Sequence, residues 1–191
     1  MAVSGIANSG IGTVGMTNNA KHAQQGDSEF SKQIMKCVAV GGKKTLLCSD
    51  ALYASANPRT GESVNIYRAE GYSKSNPIYT IKGIDSQGKE FEQQINASMI
   101  DANCCSYNEL LVLNLETGHT SDRDRLYAAM TRDKAGTNSI FDKTDYLSYV
   151  QAVMKDQKTL GNWNSYWAMD TWRNDLLNYL FGNRQSSLLG M

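Results

Sequence analysis

Cys104 and Cys105 stand side by side just ahead of a leucine-rich stretch, Tyr107 to Leu115, and are the side chains best placed to act as nucleophiles. A thiol at a helix N-terminus lies beside unpaired backbone amides and the positive end of the helix dipole, which favours the reactive thiolate. A thiol nucleophile also needs a base within reach. The chain has two histidines, His22 and His119. His119 lies at the far end of the same stretch, roughly 20 Å away at the helical rise, so one helix cannot pair it with either thiol. His22 falls in a polar N-terminal segment and would have to fold back. A small cysteine-dependent hydrolase or transferase using Cys104 or Cys105 is therefore one reading; the plainer one is a pair of small, packed cysteines. Adjacent cysteines cannot bridge each other without backbone strain.

Three other patterns invite chemistry and each has a simpler explanation. The run Thr117 to Arg125 is the most polar in the chain, and His119 with Asp122 and Asp124 offers metal ligands. It has no second imidazole and no thiolate at ligand spacing, so neither a closed zinc site nor a calcium loop is expected. An inter-helix loop with Ser121 as cap accounts for it, its acids favouring the helix N-terminus. Gly10 to Gly15 matches G-x-G-x-x-G literally, but no strand leads into it and no apolar helix follows, so it is read as flexible tail. Asn96-Ala97-Ser98 is a glycosylation acceptor by pattern alone. No cofactor and no metal are expected.

Aromatic residues supply the stronger signal. Trp163, Tyr166, Trp167, Trp172, Tyr179 and Phe181 crowd the last helical stretch. At 100° per residue Trp163, Tyr166, Trp167, Leu177 and Phe181 share one broad face, and Trp172, Leu176 and Tyr179 the other. One face packs on the body; the other lies under the N-terminal segment or is offered to a partner, since exposed rings bring buried area at low entropy cost. Tyr67, Tyr72 and Tyr79 with Lys74 and Lys82 suggest a carbohydrate- or ligand-binding sheet face, although half-buried sheet and helix positions account for the tyrosines more simply. The candidate binding surface is Tyr67, Tyr79, Trp163, Trp167 and Trp172.

Composition narrows the partner. Nineteen basic residues balance nineteen acidic ones, so the chain carries no electrostatic footprint for a phosphate backbone or an anionic membrane. No run approaches the length of apolar residues that a membrane span needs. The start has no basic, apolar signal-peptide pattern, which leads us to expect reduced thiols and a cytoplasmic location, with export by a signal-independent route as the alternative. A protein partner or a homo-oligomer fits better than nucleic acid or membrane.

The elements that must position these residues follow from periodicity. Residues 1–27, rich in Gly, Ser, Asn and Thr, cannot bury enough surface to offset their ordering entropy and are read as a flexible or loosely attached segment. Phe30, Ile34 and Met35 suggest a short amphipathic turn, and Gly41-Gly42 a break. Residues 28–191 are read as one domain. Thr45 to Ala54, Ser63 to Ala69, Ile78 to Ile84 and Lys89 to Ile95 alternate as strands, separated by turn clusters at Asn57 to Gly61, Ser75 to Pro77 and Asp85 to Gly88. After Asp101 the period changes to that of a helix. Ser106 to Thr117 is apolar on nearly every side, as a helix at the centre of a core would be. Ser121 and Thr144 are positioned to cap the second and third helices, and the fourth runs from Trp163 to Phe181. Strands first and helices afterwards give an α+β fold: an antiparallel meander of three to four strands, then about four helices.

Within Ser75 to Leu115 the runs Ser-Asn-Pro-Ile-Tyr and Ile-Lys-Gly-Ile-Asp-Ser-Gln-Gly-Lys, then Asp101, Asn103, Cys104, Tyr107, Glu109 and the leucine-rich helix, resemble an uncharacterised family of small proteins from Gram-positive, clostridial, gut-type bacteria. The resemblance spans about the last three quarters of the chain. It implies a strand–turn–strand–helix core and a bacterial origin; the family has no established activity, so no site residue is carried over. The sequence as a whole is read as a non-enzymatic interaction or structural module with an aromatic-rich surface, because no acid, base and nucleophile converge in it.

Overall fold

The computed structural model describes the backbone of residues 37–40, 43–101 and 103–189, and the side chains of 45–101 and 103–182. The expectations for residues 1–27, for the turn at Phe30 to Met35, and for His22 and Gly10 to Gly15 lie outside the described residues. Those described belong to one unit, Gln33–Met191.

Two antiparallel sheets come first. β1 (Cys37–Val40) pairs with β2 (Lys43–Leu46). β3 (Tyr53–Ala56), β4 (Ser63–Arg68), β5 (Ile78–Ile84) and β6 (Glu90–Asn96) form a four-stranded meander in chain order. Short-range polar contacts set the turns. Asn57 Oδ1 accepts the amides of Arg59 and Thr60 between β3 and β4, and Asp85 Oδ1 accepts those of Gln87 and Lys89 between β5 and β6. Both are side chains imitating a backbone turn.

The expected strand from Thr45 to Ala54 is in fact two strands with a bend between them. Asn65 on β4 is the cause. Its Oδ1 accepts the Cys48 amide at 2.7 Å and its Nδ2 donates to the Leu46 carbonyl at 2.9 Å. One buried amide thus satisfies the backbone groups that a continuing strand would have paired with a neighbour, and the chain is free to turn.

Val64, Ile66, Tyr79, Ile81 and Ile95 project from the meander into the core. Behind them lies α1 (Tyr107–Glu116), in which Leu110, Leu111, Val112 and Leu113 are all buried. A helix this apolar on all sides is stable only when enclosed, which places it at the centre. α2 (Asp122–Ala135), α3 (Tyr146–Thr159) and α4 (Trp163–Leu189) pack in succession around it. α4 extends beyond the expected end at Phe181.

The caps are local and mostly reciprocal. Ser106 and Glu109 form a capping box on α1, and Ser121 and Asp124 another on α2. α3 is capped by Asp145 and not by Thr144. Thr144 is already committed: its backbone exchanges two hydrogen bonds with Cys105, at 3.1 and 2.9 Å, tying the entry of α1 to that of α3.

Candidate functional site

α4 divides its aromatic residues between two faces. Met169, Trp172, Leu176 and Leu180 recur at helical spacing and are buried. Trp163, Tyr166 and Trp167 lie on the other side, three and four residues apart, where helix geometry makes them neighbours. Their rings meet edge to face: Trp163 and Tyr166 with centroids 5.9 Å apart, Tyr166 and Trp167 4.9 Å apart. Trp163 is 48% and Trp167 60% exposed, and Leu160, which ends α3 beside them, is 77% exposed. Isolated exposed apolar side chains are ordinary, but an ordered cluster of this kind is not.

Cations surround the rings. Lys158 Nζ sits over the Trp163 ring at 5.8 Å from its centre. A groove of about 320 Å³ between α3 and α4 is bordered by Lys155, Lys158, Arg173, Tyr166, Met154 and Asp170. Among the described residues none of Lys155, Lys158 and Arg173 forms an ion pair. The Arg173 Nε is buried with no hydrogen-bond partner.

The other candidate surface residues stand elsewhere. Trp172 is fully enclosed and its indole Nε1 donates to Asn114 Oδ1 at 2.9 Å. Tyr79 is 2% exposed, and its hydroxyl donates to Glu116, which also accepts from Tyr72. Burial and that carboxylate push the Tyr79 phenol above its ordinary range. Both residues are therefore removed from the binding surface: an inward face on a strand and a core stripe on a helix put them where no partner reaches. Tyr67 is half-buried on β4, with its hydroxyl 3.4 Å from Asp50, and among the described residues it makes no ring contact with the α4 cluster.

Among the described residues neither Cys104 nor Cys105 hydrogen-bonds to an imidazole. Ser106 caps α1, so Cys105 precedes the first turn, and the acidic Glu109 occupies the end of the helix where a thiolate would have been stabilised. Cys105 is 2% exposed. Burial, followed by the Glu109 and Asp145 carboxylates, pushes its thiol up to about 12. Cys104 is exposed. His119 is held at the opposite end of α1, its Nδ1 3.5 Å from Asp124 and its Nε2 3.1 Å from Asp175 on α4. That pairing joins the α2 entry to α4 and leaves the imidazole away from both thiols. Among the described residues no cluster of three or more His, Cys, Asp and Glu has the geometry to hold a metal ion.

A second concavity escapes any reading of the sequence. The β3–β4 turn, the start of α1 and the end of α2 enclose a cleft of about 520 Å³. On its wall Arg132 Nη2 donates to both oxygens of Glu62, at 3.2 and 3.0 Å, and the guanidinium lies over the Tyr107 ring at 4.9 Å. The side chains are 13% and 3% exposed. Seventy positions separate the partners, and neither stands in a motif, so no local signal could have joined them.

No protein-family model, no curated protein and no solved structure matches this chain.

Proposed function

We propose that the protein is a non-enzymatic interaction module that engages an acidic, apolar segment of a protein partner through the corner of α3 and α4. The observation that carries the reading is the Trp163–Tyr166–Trp167 ladder, ordered edge to face with both indoles exposed on a half-buried Tyr166, and flanked by cations that form no ion pair among the described residues. Rings of this kind are the usual anchors of protein interfaces, because they bury large area with few rotatable bonds. The adjoining Lys155, Lys158 and Arg173 favour carboxylates, which both raise the association rate and select against basic partners. The separation of Cys104 and Cys105 from His119 supports a binding role over cysteine catalysis with that imidazole as base, which would need the two within hydrogen-bond reach.

The test is selection from a displayed peptide library of mixed charge, followed by titration of the recovered peptides against the full chain. Binders should be acidic and aromatic or aliphatic, should weaken as salt is raised, and should lose at least about tenfold in affinity on Trp167→Ala. Trp163→Ala and Lys158→Glu should act in the same direction. The reading fails if the selected peptides are neutral or basic, or if they bind the Trp167→Ala protein as well as the parent. It fails equally if light scattering shows this corner covered by a second copy of the chain.

A further inference from the structure

We propose that the cleft between the β3–β4 turn and the end of α2 is a binding site for a small organic monocarboxylate, with Arg132 as its anchor. The inference is independent of the α3–α4 corner and involves none of the same residues.

Arg132 is held as a binding arginine would be. Glu62 engages only its Nη2, and Tyr107 supports the flat face of the guanidinium. Among the described residues the Nε and Nη1 groups have no partner, yet neither is sealed in the interior. A pre-oriented guanidinium with N–H groups to spare presents the fork that pairs with a carboxylate or a phosphate, and the rest of the wall decides between them. Because Glu62 and Tyr107 already fix the rotamer, little side-chain entropy remains to be lost on binding.

The rest of the wall is consistent with one negative charge and an apolar body. Asn57 accepts backbone amides through its Oδ1, leaving its Nδ2 as a donor on the lining, and Asn138 presents a second amide. Val64, Leu111 and Ile140 supply the apolar floor. Asp133 and Arg59 also line the cleft, so with Glu62 and Arg132 its formal charges balance before a ligand enters, and one added negative charge is opposed less than two. A multiply charged anion such as phosphate is therefore disfavoured, while a monocarboxylate can take the free edge of Arg132. The volume lies within the range of small-molecule sites and suits a body of six to nine carbons, on the order of the smaller ligands such sites take.

Ligand-observed saturation-transfer NMR on the full chain decides the matter, with hexanoate and hydrocinnamate as probes and their amides and inorganic phosphate as controls. The carboxylates should show transfer with dissociation constants of about 1 mM or tighter, and the amides and phosphate none. Ala129→Phe fills the cleft from α2 and should abolish transfer. Asn138→Asp, at an exposed position whose backbone amide and not its side chain holds the loop to Asp142, should weaken it by about tenfold by adding a like charge, with thermal unfolding as the check that the fold is kept. Absence of transfer from both carboxylates, equal transfer from the amides, preference for phosphate, or full retention in Asn138→Asp would each overturn the proposal.

Discussion

The indole Nε1 of Trp172 donates to Asn114 Oδ1 at 2.9 Å, and both residues are buried. The Asn114 carbonyl in turn accepts the His119 amide at 2.7 Å. A single amide residue at the end of α1 therefore fixes where α4 docks and how the chain leaves toward α2. Two polar groups facing each other in an apolar interior are costly to separate, because the one left behind has no water to turn to.

Trp172→Phe should accordingly destabilise the fold by about 1–3 kcal/mol, the penalty for stranding a buried polar partner, in addition to any loss of packing. Asn114→Leu should cost a similar amount by stranding the indole. The double variant should cost less than the sum, and urea titrations of all four proteins read the coupling directly. Additive costs would mean that the contact has no energetic weight.

Gly83 makes the closest approach in the meander. A Cβ built there would lie 1.9 Å from the Ser63 carbonyl oxygen and 2.9 Å from the Phe91 ring. The backbone atom cannot step aside without breaking the β4–β5 register, in which Ser63 pairs with Ile84 and Val64 with Gly83. Gly83→Ala should therefore cost about 3 kcal/mol or more, at the upper end for overpacking. Thermal unfolding measures it, and a shift within error of the parent would show that β4 and β5 can separate at this point.

Glu62 and Arg132 can be probed for stability apart from any ligand. Removing one member of a buried pair leaves an uncompensated charge and typically costs about 3–5 kcal/mol. Arg132→Gln and Glu62→Gln should each approach that range, while the double variant should recover much of the loss. If either single change is nearly neutral in denaturant titration, the pair is better hydrated than its 13% and 3% exposures imply.

How far these relationships could be read in advance depends on their range along the chain. The strand Ile78–Ile84 sets Tyr79 and Ile81 on one face and appears with the expected ends. α1 has leucines on every side and is central for that reason. The helical wheel also separates Trp172 and Leu176 from Trp163 and Trp167, since that division is set by 100° per residue alone. Which face is covered depends on what the remaining helices present, and Tyr79 shows the same limit on a strand. The bend between β2 and β3 is hidden for a related reason: its cause, Asn65, lies 17 positions from its partner Cys48 and looks like any polar residue on an outward pleat. Thr144 resembles a cap in sequence, and only its pairing with Cys105 hands the role to Asp145.

The cysteines offer the sharpest chemical test, because their environments diverge although they are neighbours. With its thiol pushed up to about 12, Cys105 has roughly one part in ten thousand as thiolate at pH 8, and the chain also shields it from reagent. Cys104 is exposed, and Cys48 is buried. Iodoacetamide at pH 8, followed by peptide mass spectrometry, should label Cys104 within the time that free cysteine reacts and leave Cys48 and Cys105 intact until the chain is unfolded. The linkage has a definite sign. A thiol whose folded value lies above its unfolded one holds its proton more tightly when folded, so its contribution to stability is complete below the unfolded value and declines as pH rises toward the folded one. Cys105→Ser keeps the size but not that titration, so its stability should fall less steeply than the parent's between about pH 9 and 12. Rapid labelling of Cys105 in the folded protein would instead return the cysteine nucleophile to consideration, since only a thiolate reacts at that rate.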